Sequence, residues 1–278
     1  MSSTDHVDRY AVVGNPVAHS LSPRIHSSFA QQTGQALSYQ AIELPHDSFT
    51  AGIRDLQQQG FSGVNVTVPF KREAWELCNH RSEAAQEAGA VNTLTFLQGG
   101  DIDGSNTDGV GLVRDLVDNL KVAIKDRSVL VLGAGGAVRG VLGPILAQSP
   151  ADLTIANRTL EKAIELARDF SEQGSLEAVA YDALGADNFD LIINGTAAGL
   201  SNEVPPLPTR DFGAHSLCYD MMYRASTSTA FIDCAHSHGV ATAFDGIGML
   251  VEQAAEAFAL WRNVRPDTTE VIRSLGRP

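Results

Sequence analysis

A chain of 278 residues is long enough for two domains or one large one. Hydrophobic residues at 44% and charged residues at 19% give an ordinary globular composition and exclude a disordered chain. A formal net charge of −13 argues against nucleic acid as a partner, and any anionic substrate must be held by local donors against the overall field. No run approaches the ~18 apolar residues of a membrane span, and the opening MSSTDHVDRY lacks the apolar core of a signal peptide. Three cysteines, Cys78, Cys218 and Cys234, lie far apart. An odd, sparse count speaks against a disulfide framework and for a reducing cytoplasm.

Residues 10–14 (YAVVG) read as a short buried strand closed by the turn Asn15-Pro16. In the following HSLSPRIHSSF, Pro23 suits the first turn of a helix with Ser22 as its cap. As local structure Ser20 and Ser22 are a cap and its neighbour. As chemistry they are two hydroxyls on a strand-to-helix loop, able to receive a carboxylate beside free helix N–H groups. Residues 37–43 form a second strand and 48–59 a helix.

In FSGVNVTVPFK, residues 61–71, Val64, Val66 and Val68 alternate with Asn65 and Thr67 at the period of a strand. Pro69 ends the pairing and Phe70-Lys71 open a helix. Ligands of open α/β sheets collect beyond the carboxyl ends of strands, where Asn65, Thr67 and Lys71 fall. A lone lysine followed by Arg72 is equally a solvated surface charge. Residues 84–90 precede a strand ending at Phe96, and Gly99-Gly100 turn it into a hairpin with residues 102–105. Asn106-Thr107-Asp108-Gly109 caps a helix over 110–120 or places a carboxylate at a domain junction, where substrate sites are common.

A new α/β unit begins at Ser128. SVLVLGAGGAVRG is a strand, a glycine-rich turn and a helix start, the order of a dinucleotide-binding unit. The first glycine makes the tight turn, the second admits a pyrophosphate, and the helix N-terminus supplies oriented donors. Val138 stands where a third glycine or alanine is usual. The next strand, 153–156, ends in Asn157-Arg158-Thr159 without the Asp or Glu that binds an NAD ribose. Arg158, with Lys162 one turn on, suits a 2′-phosphate and so NADP. Strands over 178–181, 190–194, 216–220 and 240–244 bring the count to six, the number of a doubly wound dinucleotide domain.

The small-residue loop 194–199 lets a flat cofactor lie near backbone, and Pro205, Pro206 and Pro208 make a stiff exposed loop. A helix over 247–263 carries the stripe Ile247, Leu250, Val251, Ala254, Phe258 and Trp261, with Met249 and Gln253 on another face. Pro266 starts a last short helix. Cys234, His236 and His238 lack a metal-ligand spacing, so no metal is expected.

Eight stretches in order, GNPVAHSLSP, NVTVPFK, AGAVNTL, NTDG, VLGAGGA, ANRT, YDMMY and GIGMLVEQAAEAF, resemble the shikimate dehydrogenase family over nearly the whole chain. The resemblance implies an α/β fold of two domains. One is an N-terminal, open, twisted, mostly parallel substrate domain of residues 1–108 plus 243–278, to which the C-terminal helices return. The other is a Rossmann-type, doubly wound NADP-binding domain of residues 109–242. It implies reduction of 3-dehydroshikimate to shikimate by NADPH on the route to chorismate, with Lys71 and Asp108 as the catalytic pair.

By the same resemblance Ser20 and Ser22 receive the substrate carboxylate. Thr67, Asn92 and Gln253 bind ring hydroxyls with Asn65 behind them, and Tyr219 lines the substrate site. Gly133, Ala134, Gly135, Gly136 and Ala137 hold the pyrophosphate; Asn157, Arg158, Thr159 and Lys162 hold the 2′-phosphate. Thr196, Met221, Gly246 and Met249 complete the cofactor contacts. A cytoplasmic enzyme is implied, and a homodimer is compatible with it. The rivals are a quinate/shikimate dehydrogenase using NAD and a non-catalytic nucleotide sensor on the same fold.

Overall fold

A computed structural model describes residues 7–185, 189–201, 203–206, 215–224 and 227–276. The apolar runs become strands and the periodic segments become helices. In order these are β1 (Asp8–Gly14), α1 (Ser22–Thr33), β2 (Leu37–Glu43), α2 (Phe49–Gln58), β3 (Phe61–Val66) and α3 (Lys71–Leu77). Then come β4 (His80–Arg81), α4 (Glu83–Ala88), β5 (Thr93–Phe96), β6 (Ile102–Ser105) and α5 (Asp108–Arg114). The second half contains β7 (Ser128–Leu132), α6 (Gly136–Leu146), β8 (Asp152–Asn157), α7 (Leu160–Asp169), β9 (Leu176–Ala180) and β10 (Leu191–Asn194). It continues through β11 (Leu217–Asp220), α8 (Ala230–Ser237), β12 (Thr242–Phe244), α9 (Ile247–Arg262) and α10 (Thr269–Ser274). Among the described residues, no helix is long and apolar enough to cross a membrane.

The chain divides into two packed units. The first holds the described residues up to Asp108 together with Val251–Ser274. Its six-stranded sheet runs β2-β1-β3-β5-β6-β4. β1 pairs in parallel with β2 and β3, whereas β5 is antiparallel to both β3 and β6. β3 is buried on both faces, as a central strand must be. Gly14 closes β1 against the loop after β3: a Cβ there would lie 2.4 Å from Thr67 Cγ2.

The last helices belong to this first unit because both polar and aromatic contacts hold them there. Trp261 stacks on Tyr10 with ring centroids 4.5 Å apart and donates to the Leu94 carbonyl at 3.2 Å. Arg262 reaches Asp8 and Gln35. Gln32 and Asp267 exchange two hydrogen bonds, side-chain amide to carbonyl and backbone N–H to side-chain oxygen. Glu252, buried on α9, accepts from Arg265 and Thr268. Each aromatic pair contributes roughly 0.5–1.5 kcal/mol beyond its buried area.

The second unit, Gly109–Leu250 with residues 275–276, has the all-parallel order β12-β11-β10-β7-β8-β9. This is the doubly wound arrangement, two halves diverging from β7 and β10. Because β12 pairs with β11, residue 243 belongs to this sheet, and the change of unit falls later, within α9 at Val251.

Three local expectations are corrected. Ser22 is the first residue of α1 rather than its cap; Leu21 takes the cap position, and the Ser20 hydroxyl accepts from the Ser22 N–H at 3.2 Å. The helix expected over 110–120 changes pitch, with residues Asp115–Asn119 forming a π turn. The last helix starts at Thr269, and residues 266–268 are in neither helix nor strand. Of the loop prolines, Pro206 is exposed, Pro205 is buried, and Pro208 lies outside the described residues.

His26 on α1 is fully buried, stacked on Tyr39 at 4.1 Å with planes 5° apart, and neither ring nitrogen has a hydrogen-bond partner. Burial pushes its imidazole from 6.5 down to about 3. The unfolded chain therefore binds a proton between these values that the folded chain refuses, and stability falls as pH drops through the window. His26→Phe is expected to remove up to ~1.4 kcal/mol per pH unit of that dependence between neutral pH and pH 4. Urea unfolding of both proteins at several pH values checks this, and parallel pH profiles would refute it.

Candidate active site

The loop after β3 is anchored from two sides. Phe70 is fully buried and stacks on Phe49 at 5.0 Å, and the carbonyl of Lys71 accepts from the Val91 N–H at 2.9 Å. With its backbone held at the start of α3, Lys71 extends Nζ to 2.6 Å from Asp108 Oδ2. Asp108 opens α5 and is held in turn: its N–H donates to Asn106 Oδ1 at 3.0 Å, and Asn106 Nδ2 donates to the Ala90 carbonyl at 3.1 Å. The Lys71 side chain remains 29% exposed and that of Asp108 11%, so the ion pair is reachable at the amine end.

Asn92, just before β5, completes the cluster. Its Nδ2 donates to the other carboxylate oxygen of Asp108 at 2.9 Å and to Gln253 Oε1 of α9 at 3.3 Å. Its Oδ1 accepts from the Thr107 N–H at 2.9 Å. A backbone N–H can only donate, so this contact identifies which end of the Asn92 amide is the oxygen. Asn65 on β3 sits behind, donating to the Asn92 carbonyl at 3.2 Å and to Thr93 Oγ1 at 3.0 Å. Lys71, Asp108, Asn92, Gln253 and Asn65 therefore form one connected group in the first unit. Thr67 is half-buried on the same loop as Lys71. Ser22 is buried, and its hydroxyl lies beside the Tyr39 phenol, which burial pushes well above its ordinary pKa. Tyr39 donates to Asn65 Oδ1 at 2.7 Å and so joins the serine side to the cluster.

In the second unit Gly133 follows β7 with φ of 104°, a left-handed conformation that requires glycine. A Cβ built on Gly135 or Gly136 would meet nothing within 4 Å, and no side chain caps the first turn of α6. Gly135, Gly136 and Ala137 are exposed and Ala134 half-exposed, so the turn presents open backbone of the kind a pyrophosphate takes. Val138 is fully buried, and its Cγ2 would lie 2.6 Å from a Cβ on Gly195. The close approach usually allowed by a third glycine is supplied here from the opposite strand end.

Beyond β8, Asn157 Nδ2 donates to the Thr159 carbonyl at 2.8 Å, and Arg158, Thr159 and Lys162 are exposed. No carboxylate follows the strand at residues 157–159, and Arg158 with Lys162, between which Glu161 is also exposed, gives two cations to one anion, which fits a dinucleotide carrying a 2′-phosphate. Thr196 is turned back on Asn194 Oδ1 at 2.8 Å, with its methyl against Gly133. Gly246 is required by packing, because a Cβ there would lie 2.3 Å from the Met221 carbonyl.

Two expected site residues are core residues instead. Tyr219 is fully buried, and its hydroxyl donates to Asp115 Oδ2 at 2.6 Å inside the second unit's core, so it does not line a substrate site. Met249 packs in the same core with 7% exposure, which leaves little surface for a cofactor. Sequence reasoning missed Thr107, Thr93 and Tyr39. Tyr223, the other tyrosine of YDMMY, is half-buried past the carboxyl end of β11, and burial pushes its phenol up. The rule that ligands gather beyond strand ends selects Tyr223 over Tyr219. Asp220 between them is structural, accepting from Asn194, the Met222 N–H and Thr229, with burial raising its pKa.

At the end of α8 the histidines bond locally, His236 Nδ1 to the Val240 carbonyl and His238 Nδ1 to the Cys234 carbonyl. Among the described residues, no group of three or more His, Cys, Asp or Glu is placed to hold a metal ion.

A doubly wound sheet with an open glycine turn in one unit, and an amine–carboxylate–amide cluster in the other, define a dinucleotide-dependent α/β enzyme. Residues 12–94 match the shikimate dehydrogenase substrate binding domain, 115–201 the shikimate / quinate 5-dehydrogenase family, and 246–275 the shikimate 5′-dehydrogenase C-terminal domain. The chain is 54% identical over 270 residues to shikimate dehydrogenase (NADP(+)) of Methylobacillus flagellatus, covering 97% of this chain and 99% of that protein. An Ael1 enzyme from Pseudomonas putida superposes with a TM-score of 0.91 at 47% identity, covering 98% and 99% of the two chains. Shikimate 5-dehydrogenase of Thermus thermophilus, solved with NADP(H) and shikimate, superposes with a TM-score of 0.85 at 34% identity, covering 97% and 100%. The chain belongs to the shikimate dehydrogenase family.

Tyr219→Phe takes a donor from the buried Asp115 carboxylate and is expected to cost about 1–2 kcal/mol of stability. Chemical denaturation measures it, and an unchanged midpoint would return Tyr219 to the list of candidate ligands.

Proposed function

We propose that this chain is an NADP-dependent shikimate dehydrogenase that interconverts 3-dehydroshikimate and shikimate. The observation that carries the reading is the 2.6 Å contact between Lys71 Nζ and Asp108 Oδ2, held in place by Asn92. The bound dinucleotide supplies or accepts the hydride. In the reducing direction Lys71 Nζ gives a proton to the developing alkoxide oxygen, and in the other direction it takes that proton back. Asp108 fixes the ammonium and accepts from a substrate hydroxyl. Asn92, Gln253 and Thr67 hydrogen-bond the ring hydroxyls, with Asn65 behind them. Ser20 and Ser22 take the carboxylate at the start of α1, local donors that a chain of net charge −13 needs for an anion.

Gly133, Ala134, Gly135, Gly136 and Ala137 would hold the pyrophosphate, and Asn157, Arg158, Thr159 and Lys162 the 2′-phosphate. Thr196, Met221 and Gly246 would border the cofactor, with Met249 contributing at most its edge. In this reading the first unit is the substrate domain and the second the NADP domain. Three free cysteines support a cytoplasmic setting. The lack of an acidic residue at Asn157–Thr159 favours NADP over the NAD of a quinate/shikimate enzyme.

Mixing protein with shikimate and either NADP or NAD, and following absorbance of the reduced cofactor, tests the activity; no turnover with either would overturn it. Lys71→Ala is expected to lower kcat by roughly 10²–10⁴-fold with the fold and NADPH affinity retained. Unchanged turnover removes Lys71 from the mechanism. Arg158→Ala is expected to erode the preference for NADPH over NADH, and equal NADPH affinity before and after would refute its role.

A further inference from the structure

Two residues that no substrate-binding role covers, Thr93 and Tyr39, are wired to the proposed acid through an unbroken set of hydrogen bonds. Tyr39 donates to Asn65 Oδ1 at 2.7 Å, Asn65 Nδ2 donates to Thr93 Oγ1 at 3.0 Å, and Thr93 Oγ1 donates to Asn92 Oδ1 at 2.9 Å. Asn92 Nδ2 then donates to one oxygen of Asp108 at 2.9 Å, while Lys71 holds the other at 2.6 Å. Asn65 and Thr93 face each other directly across β3 and β5, so their side chains share one face of the sheet. Thr93 and Asn92 are 1% and 3% exposed, which keeps water from replacing the hydroxyl.

The direction of the chain is set by counting protons. A hydroxyl has one proton to give. Thr93 receives from Asn65, whose Nδ2 also donates to the Asn92 backbone carbonyl, which can only accept, so this end of the amide is the NH₂. Thr93 therefore gives its proton to Asn92 Oδ1, the same oxygen that accepts from the Thr107 N–H. These donors, with the Thr107 hydroxyl also 3.2 Å from the same oxygen, leave the Asn92 NH₂ facing Asp108.

We propose that Thr93, supported by Tyr39 through Asn65, is a positioning residue for the Lys71–Asp108 pair: its hydroxyl locks the Asn92 amide in the orientation that aims Nδ2 at the carboxylate. Neither residue is assigned to substrate. Thr93 acts on the reaction only through Asn92, and Tyr39 only through Asn65 and Thr93. The inference deepens the dehydrogenase reading and rests on it for its kinetic consequence, but the amide orientation itself is a property of the protein alone.

The test uses Thr93→Val, which keeps the β-branched shape and removes the hydroxyl, with Thr93→Ser as the conservative rescue. In the ligand-free protein, NMR of the Asn92 side-chain amide, identified by its loss in Asn92→Asp, is expected to show faster solvent exchange in Thr93→Val. The exchange should be restored in Thr93→Ser. With shikimate and NADP, kcat is expected to fall about tenfold in Thr93→Val, recovering in Thr93→Ser, while the KM for NADP stays put.

Unchanged amide exchange in Thr93→Val overturns the proposal, as does a Thr93→Ser variant no better than Thr93→Val, which would make the role one of packing. Should Thr93→Val fail to fold, Tyr39→Phe decides. It keeps the stack on His26 and removes only the phenol hydroxyl. A smaller change of the same kind in exchange and kcat is expected, and none would overturn the proposal. If the unmodified protein fails to oxidise shikimate, the dehydrogenase reading falls while the amide exchange still tests the positioning.

Discussion

The contact between Lys71 and Asp108 joins residues 37 apart in sequence, and the first unit is arranged so that they meet. Neither side chain could hold the other alone: an exposed lysine–carboxylate pair is worth about 0–1 kcal/mol and would be one conformer among many. What makes it a fixed feature is the backbone behind each partner. Phe70 is locked into the core beside Lys71, and the Asn106 and Thr107 groups are clipped to the turn around Ala90 and Asn92. The central strands β3 and β5 carry these turns at neighbouring ends. The energy that orders the pair comes from sheet pairing and core burial, so the pair can be tuned for chemistry rather than for stability.

Much of the architecture was legible because its signals are local. The strand–glycine–helix order at residue 128 and the spaced apolar runs after it lead to the observed six-stranded parallel sheet, since only a few topologies connect such elements without crossing. The amine and carboxylate could be named from motifs, but not their contact, which depends on register between strands far apart in the chain. The errors share a cause. Tyr219 and Tyr223 differ by whether the residue lies inside the strand or past its end, and YDMMY alone does not mark that boundary. Ser22 looks like a cap in any sequence of the form Ser-Pro; the helix starts one residue earlier because the Ser20 hydroxyl meets the first N–H. Nothing in the composition of DLVDN announces a π turn. Tyr39 and Thr93 carry no motif at all, being ordinary strand residues whose importance comes from what stands opposite them.

The glycine turn shows how one fold tolerates a departure from its usual pattern. A valine at position 138 would crowd the neighbouring strand if the facing residue carried a side chain, and Gly195 removes that conflict. The constraint is on the space shared by two positions, so a motif written along a single stretch describes only half of it. The same holds for charge: the whole chain is strongly acidic, yet the turn after β8 presents Arg158 and Lys162 together. Local placement sets what the turn can bind.

The return of α9 and α10 to the first sheet has a bearing on biosynthesis. Because Trp261, Phe258, Arg262 and the Gln32–Asp267 exchange belong to the first unit, residues as late as Asp267 must leave the ribosome before the sheet that includes β1 gains this cover. The intervening doubly wound unit is contiguous from Gly109 to Leu250 and has all its strands available sooner. The nascent chain is thus expected to mature from its middle outward, with the amino-terminal strands depending longest on protection from aggregation.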